Sequence, residues 1–175
     1  DRARQRFEGF SQGCANHKMT PPALLEVGDD EDDLTPQLDA FLKRHPDITG
    51  IFASNDYRAL AAIRSARQLS IDVPRDMSIV GFDGIKVGQM IDPTLATIVT
   101  APRKLGAGAG QTILSMITGP TPPQLPLKEQ TFSFRAGGSL MPLAAESKDG
   151  EKVAAFPPSD DQTYKKAKIQ QERST

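Results

Sequence analysis

Three short polar clusters in this sequence follow apolar runs: Gly28-Asp29-Asp30, Ser54-Asn55-Asp56 and Asp83-Gly84. Arginines at positions 2, 4 and 6 stand near the start of the chain. Arginine donates two parallel hydrogen bonds, an amide both donates and accepts, and a carboxylate accepts from adjacent hydroxyl groups. In a dry site each charge-assisted bond contributes roughly 1.5–3 kcal/mol. This set of groups suits a polyol ligand better than a lipid or an anion.

Each of these residues also has an ordinary structural explanation. Asn55-Asp56 has the composition of a helix N-cap. Asp83-Gly84 is a common turn pair. An arginine such as Arg6 on a helix is more often solvated than bound to a ligand. Taken singly, the residues leave both interpretations open.

The elements that must position these groups alternate between apolar runs and helical patterns. The runs predict strands over residues 22–27, 49–53, 78–82 and 95–99, and connections that each hold one helix separate the first three. Such crossovers are typical of parallel strands. The predicted fold class is therefore α/β, a parallel sheet flanked by helices on both faces. Ligands bind beyond the carboxyl ends of such strands, so the three polar clusters should share one edge.

Helical spacing of apolar residues predicts the helices themselves. They cover residues 2–15, with Phe7, Phe10 and Cys14 inward, 35–44, with Leu38, Phe41 and Leu42 inward, 56–69, with Leu60, Ile63 and Ala66 inward, and 102–118. Thr35-Pro36 indicates an N-cap followed by proline in the first turn. An alternating pattern up to Phe134 predicts a strand with one wet face. Cys14 is expected to be inert core.

Composition excludes several classes of protein. Among 175 residues, 21 Lys and Arg face 22 Asp and Glu, so the chain has no surplus of positive charge with which to grip DNA phosphates. A single cysteine excludes an intramolecular disulfide. No apolar run is long enough for a membrane helix. Because the chain starts at Asp1 inside a helical pattern, we expect its true N-terminus to be missing.

Other motifs favour structural roles over chemistry. The glycines of 106–110 lack dinucleotide-loop spacing, and the acidic run 29–33 lacks the spacing of a calcium loop. His17 and His45 have no partner at zinc-ligand spacing. We therefore predict no cofactor and no metal. Asp56 and Asp83 could be imagined as a hydrolytic carboxylate pair, although sequence cannot show that they are close.

The central block closely resembles the lactose- and galactose-repressor family of bacterial transcription regulators. The segment Thr-Gly-Ile-Phe-Ala-Ser-Asn-Asp from Thr49 carries the resemblance, and Val73-Pro74-Arg75-Asp76-Met77-Ser78-Ile79-Val80-Gly81-Phe82-Asp83 continues it. Pro93-Thr94-Leu95-Ala96-Thr97-Ile98 extends it, and Arg6-Phe7-Glu8-Gly9-Phe10 matches an upstream segment of the family. The similarity covers about Arg2 to Leu140.

The resemblance implies two α/β lobes hinged around a small effector, with a helix-turn-helix module before them. It implies a periplasmic-binding-protein-like C-terminal lobe over 1–93, a crossing into the N-terminal lobe over 94–123 and a return strand over 124–143. The mixture of Lys, Asp, Glu, Ser, Gln and Pro over 144–175 separately predicts a disordered tail. By position the resemblance assigns effector contacts to Arg6, Asn55 and Asp83, and we add Asp30, Asp56 and Phe82 as further residues of the ligand edge. The expected effector is a carbohydrate.

The same resemblance implies a cytoplasmic homodimer that binds DNA only through the missing module and has no membrane association. Interface candidates are residues 86–91 and the preceding helix.

Two departures from the family pattern bear on the identity of the ligand. The acidic run near Asp30 replaces an aromatic residue that stacks on the ligand in some members, which disfavours purine-like effectors. Gly84 stands where many members have a second acidic residue.

Three alternatives remain open at this point. A periplasmic sugar-binding protein of a transporter shares the two-lobe fold. A sugar-acting enzyme would use Asp56 and Asp83. The chain could also be a truncated, non-functional product. A signal peptide or a helix-turn-helix segment before Asp1 would distinguish the first alternative from a regulator.

Overall fold

The computed structural model describes residues 2–28, 33–119 and 132–141. These residues form four helices: α1 (Arg2–Asn16), α2 (Thr35–Arg44), α3 (Asp56–Gln68) and α4 (Pro102–Thr118). Four strands accompany them: β1 (Gly50–Phe52), β2 (Ser78–Asp83), β3 (Ala96–Val99) and β4 (Ser133–Arg135). A single 3₁₀ turn, Lys86–Gln89, lies between β2 and β3. The four predicted helices and the strands predicted over 49–53, 78–82 and 95–99 are confirmed, and their ends differ from the predicted ones by two residues at most.

The strands form one sheet in the order β1-β2-β3-β4. β1 and β3 both pair with β2 in parallel, with Ile51 opposite Ile79 and Phe82 opposite Ile98. β4 runs antiparallel to β3. The carboxyl ends of the three parallel strands therefore meet at one edge, as the sequence predicts.

Helices cover both faces of the sheet. Successive side chains of a strand point to opposite faces. On one face, Ile79 packs with Ala59, Ile63 and Ala66 of α3, and all four are nearly inaccessible to solvent. On the other face lies α1, where the ring of Phe10 stacks on Phe52 with centroids 5.0 Å apart. Burying these apolar groups holds α1 and α3 across the sheet from each other.

Two local predictions are wrong. Residues 22–27 are not a strand: they form no ladder with a described strand, and Leu24 remains 52% exposed. The N-cap of α2 is Leu34 rather than Thr35. The Asp33 carboxylate performs the capping by accepting from the Thr35 backbone N–H at 3.1 Å.

Other predictions concern positions that the structure describes only in part. Cys14 is buried, as expected. The end of the strand predicted from the alternating pattern up to Phe134 is confirmed as β4, whereas most of that strand, the linker before it and the predicted tail lie outside the described residues. None of the residues of α4 is buried against the described part of the chain. Its apolar side chains Leu105, Ile113, Leu114, Met116 and Ile117 are exposed.

Candidate functional site

The polar groups singled out in the sequence meet at the carboxyl edge of the sheet. Arg6 arrives from α1, Asn55 from the junction between β1 and α3, and Asp83 from the last position of β2. The three side chains share the lining of one cavity of about 250 Å³. Arg2, Ala3 and Ser54 complete the lining. The predicted convergence is therefore what the structure shows for these three residues.

Arg6 is the central group of this cavity. Its guanidinium donates to the backbone carbonyl oxygen of Ser54 and lies 3.5 Å from the Asp83 carboxylate. The guanidinium carbon also stands 3.9 Å from the centroid of the Phe82 ring. A planar cation can stack on an aromatic face and donate from its edge at the same time. Arg6 is thus fixed in place by three contacts while only 22% of its side chain is exposed.

Asn55 both caps a helix and lines the cavity. It is the N-cap of α3, and its side-chain oxygen accepts from the Arg58 backbone N–H at 2.8 Å. This bond satisfies one of the orphan donors of the helix and fixes the amide plane. The cap does not use the amide nitrogen, and Asn55 lines the cavity.

The backbone of Asp83 adopts a conformation that is rare for a non-glycine residue. Its φ is 116°, and the next residue, Gly84, has a φ of 79°. A non-glycine residue in this region costs on the order of 1–3 kcal/mol and persists only where neighbours impose it. The Thr100 N–H donates to the Asp83 carbonyl oxygen at 3.4 Å, and a Cβ at position 84 would lie 3.0 Å from the Val99 Cα. Contacts with β3 and the residue after it therefore hold the turn that carries Asp83.

Asp56 does not join the cavity, contrary to expectation. Its side chain is completely buried. One carboxylate oxygen accepts from the Thr97 hydroxyl at 2.5 Å, and the other accepts from the Ile85 N–H at 2.7 Å. The side chain therefore bonds to β3 and to the residue after β2 and does not line the cavity. A hydrolytic pair formed by Asp56 and Asp83 is not what this geometry supports.

Phe82 and Asp30 are the two remaining candidates of the ligand edge. Phe82 is part of the edge through the Arg6 guanidinium stacked on its ring. Asp30 lies outside the described residues. Sequence reasoning does not find the Ser54 carbonyl as an acceptor, because the fold alone determines the direction of a backbone carbonyl. Thr97, the partner of Asp56, was missed because threonine is common in strands for other reasons.

A second, larger depression of about 570 Å³ lies at the other end of the sheet. Its lining comes from the end of α3 and the segment that leads into β2, so it lies away from the strand ends described above. Its arginines are engaged: Arg67 donates to the Asp92 carbonyl oxygen, and Arg75 lies 2.7 Å from Asp72. We therefore place the candidate site at the carboxyl edge.

Across residues 2–28, 33–119 and 132–141, no group of three or more His, Cys, Asp or Glu side chains is arranged to hold a metal ion.

None of the described helices is long and apolar enough to cross a membrane.

Comparison with known sequences assigns most of the chain to one family. Residues 1–140 match the family described as periplasmic binding protein-like domain. The HTH-type transcriptional regulator MalR of Clostridium butyricum is 40% identical over 115 residues, which are 65% of this chain and 34% of that protein. The chain thus spans about a third of the length of this relative.

Solved structures show the same fold. A LacI-family transcriptional regulatory protein from Corynebacterium glutamicum superposes with a TM-score of 0.66 at 31% identity, covering 79% of this chain and 53% of that one. A LacI family transcriptional regulator from Enterococcus faecium with bound ribose gives a TM-score of 0.63 at 28% identity, covering 81% and 52%. The parallel strands, the helices on both faces and the sequence matches lead to one conclusion. The chain belongs to the periplasmic-binding-protein-like domain family, in the form found in LacI-family transcriptional regulators.

Proposed function

We propose that this chain is the effector-binding region of a DNA-binding transcriptional regulator and that its effector is a carbohydrate. The observation that carries the proposal is the convergence of Arg6, Asn55 and Asp83 on one cavity at the carboxyl edge of the sheet. The bound ribose of the Enterococcus faecium regulator supports the ligand class.

The chemistry of the cavity fits a sugar. Asp83 accepts from neighbouring hydroxyl groups, the Asn55 amide nitrogen donates, and Arg6 donates from its edge. The Arg6 cation is already opposed by the Asp83 carboxylate at 3.5 Å, so the pair presents little net charge to a ligand. A neutral polyol gains hydrogen bonds there without having to neutralise a buried charge.

The cavity represents one side of a larger site. Its volume of about 250 Å³ is below the roughly 300–1,000 Å³ of typical small-molecule pockets. We propose that residues 1–93 form the C-terminal lobe, that 94–123 cross into an N-terminal lobe, that 124–143 return, and that 144–175 are a tail. The exposed apolar side chains of α4 support this division, because they would pack against the rest of the second lobe.

Regulation would follow from closure of the two lobes around the sugar. An effector shifts DNA affinity only by its differential affinity for the open and closed states, commonly a coupling of about 1–3 kcal/mol. The net charge of −1 offers no DNA-binding face, so DNA contacts would come from a helix-turn-helix segment outside this chain. We place the regulator in the cytoplasm.

We further propose that the regulator is a homodimer. Residues 86–91 and α3 are the interface candidates. Three of their apolar side chains are exposed: Tyr57 by 69%, Val87 by 42% and Met90 by 81%. Large apolar side chains at the surface indicate an interaction surface when they are close together, and Val87 and Met90 share one short turn.

A binding and turnover assay tests the proposed function. The 175-residue chain is titrated with ribose and with a panel of aldohexoses and their disaccharides, and the sugar is then recovered and analysed. We expect at least one sugar to bind and to be recovered unchanged. Recovery of a hydrolysed or oxidised product would favour the enzyme alternative, and failure of every sugar to bind the chain together with its N-terminal lobe would contradict the proposal.

A further inference from the structure

Asp56 makes an arrangement of bonds that neither helix capping nor effector contact explains. The carboxylate is completely buried, and it joins α3 to two other elements. It accepts from Thr97 in β3 and from the backbone N–H of Ile85, just after β2. A buried carboxylate is costly unless hydrogen bonds satisfy it, so these two donors fix the position of Asp56 in turn.

The sheet makes room for this carboxylate. A Cβ at Gly81 would come within 2.2 Å of the Asp56 Oδ1 and 3.1 Å of the Leu95 side chain. Glycine in β2 therefore lets the carboxylate pass beneath the strand toward Thr97 and Ile85. Gly81 stands two positions before Asp83, so the same short stretch of β2 both accommodates Asp56 and presents Asp83 to the cavity.

The Ile85 N–H is the first donor after the turn that aims Asp83. Residues 83 and 84 both have positive φ, and Ile85 returns to an extended conformation with a φ of −64°. A non-glycine residue with positive φ, such as Asp83, keeps that conformation only when the surrounding structure imposes it. Thr100 holds the Asp83 carbonyl on one side, and Asp56 holds the Ile85 N–H on the other.

We propose that Asp56 is a positioning residue of the effector site: through the Ile85 N–H it fixes the Asp83-Gly84 turn in the conformation that sets Asp83 beside Arg6. It touches no ligand itself. That this site binds an effector rests on the proposed function. That Asp56 fixes the Asp83-Gly84 turn concerns only groups within this chain.

Three variants separate positioning from general stabilisation. Asp56→Ala removes both bonds. Thr97→Val removes only the bond to β3 and leaves the carboxylate free to hold Ile85, so it is the matched control. Asp56→Asn is the conservative variant, because its carboxamide oxygen can accept from Ile85 while its nitrogen donates to the Thr97 hydroxyl.

The measurements are made on the whole 175-residue chain in the absence of sugar. NMR measures hydrogen exchange of the Ile85 amide and the ¹⁵N signals of the Arg6 guanidinium, with Asp83→Ala as the reference for a lost ion pair. In Asp56→Ala we expect the Ile85 amide to exchange at least about tenfold faster, as loss of one charge-assisted hydrogen bond allows. The Arg6 signals should move to those of Asp83→Ala, whereas Thr97→Val keeps the wild-type signals and Asp56→Asn largely restores them.

A purely structural role gives a different pattern. Unchanged Arg6 signals in Asp56→Ala, or equal changes in Thr97→Val and Asp56→Ala, would overturn the proposal. If Asp56→Ala does not fold, Asp56→Ser takes its place with the same expectation, because its shorter side chain keeps a polar group near Thr97 but does not reach Ile85.

Sugar titration separates the two proposals. If Asp83→Ala leaves sugar affinity unchanged, the proposed function fails while the NMR result on Asp56 stands. If Asp83→Ala abolishes sugar binding but Asp56→Ala has full affinity, the positioning role fails and the proposed function stands.

Discussion

The Arg6 guanidinium lies 3.5 Å from the Asp83 carboxylate, although the two residues come from α1 and from the end of β2. The same guanidinium bonds to the Ser54 carbonyl and stacks on Phe82. One side chain therefore joins the helix on one face of the sheet to two of its strand ends. Arg6 both fixes α1 and pre-organises the cavity.

Replacing Arg6 should lower the free energy of unfolding more than replacing the exposed Arg4 on the same helix. Arg6→Ala removes a partly buried hydrogen bond and the cation–π contact, so we expect the free energy of unfolding to fall by roughly 1–2 kcal/mol. Arg4 makes an exposed pair with Glu8, and Arg4→Ala should cost less than about 0.5 kcal/mol. Urea denaturation measures both. Equal losses would show that Arg6 is no more than a surface charge.

Glycine is required at position 84 for two reasons. Its φ is 79°, and an added Cβ would lie 3.0 Å from the backbone of Val99. Gly84→Ala should therefore destabilise the chain by about 1–3 kcal/mol and weaken sugar binding through displacement of Asp83. Gly50→Ala is the control, because its Cβ would meet only the Ser78 carbonyl oxygen at 3.9 Å. If thermal unfolding shows both variants to be equally stable, the turn is not held as described.

Sequence alone was sufficient for the parallel sheet, because apolar periodicity and the helical crossovers predict it. The ends of the strands also placed Asn55 and Asp83 at one edge, whereas the resemblance to the repressor family singled out Arg6, Asn55 and Asp83 as effector contacts, and that role stays a prediction. Sequence alone failed at residues 22–27, whose apolar composition resembles a buried strand although the segment pairs with no described strand and leaves Leu24 52% exposed. It also failed for Asp56, which it placed at the ligand edge. Whether a carboxylate at a helix start turns outward or inward depends on the space that Gly81 leaves and on Thr97, both distant in sequence.

Acid should weaken the start of α2 through Asp33. Hydrogen bonds from the Thr35 hydroxyl and backbone N–H hold the pKa of Asp33 below its usual value of 3.8, with a smaller contribution from Arg64 and opposed by slight desolvation. A lowered folded-state pKa stabilises the fold above the unfolded-state pKa, and this contribution is lost as the pH falls through the folded-state value.

The comparison of wild type with Asp33→Asn measures this contribution. We expect the variant to melt at a lower temperature at neutral pH and the difference to shrink as the pH falls below about 3.8. A difference that persists unchanged in acid would mean that the Asp33 charge does not cap α2.

The proposed dimer surface can be tested with one charge. Met90 is 81% exposed, so Met90→Glu should change the free energy of unfolding by no more than about 0.5 kcal/mol. It should nevertheless shift the monomer–dimer equilibrium toward monomer in sedimentation experiments, because a charge is then desolvated on association. Met19→Glu, at a residue 63% exposed beyond α1, is the control and should leave association unchanged. A wild-type chain that is monomeric at all concentrations would contradict the proposed surface.

The most direct test of the sugar site is an NMR titration of the ¹⁵N-labelled chain with the sugar panel, carried out in parallel on Asp83→Ala. We expect at least one sugar to shift the backbone amides of Ser54, Asn55, Asp83 and Gly84 in a saturable manner, and we expect Asp83→Ala, still folded, to lose these shifts. Shifts confined to other parts of the chain, or the same binding curve in Asp83→Ala, would contradict a sugar site built on Arg6, Asn55 and Asp83.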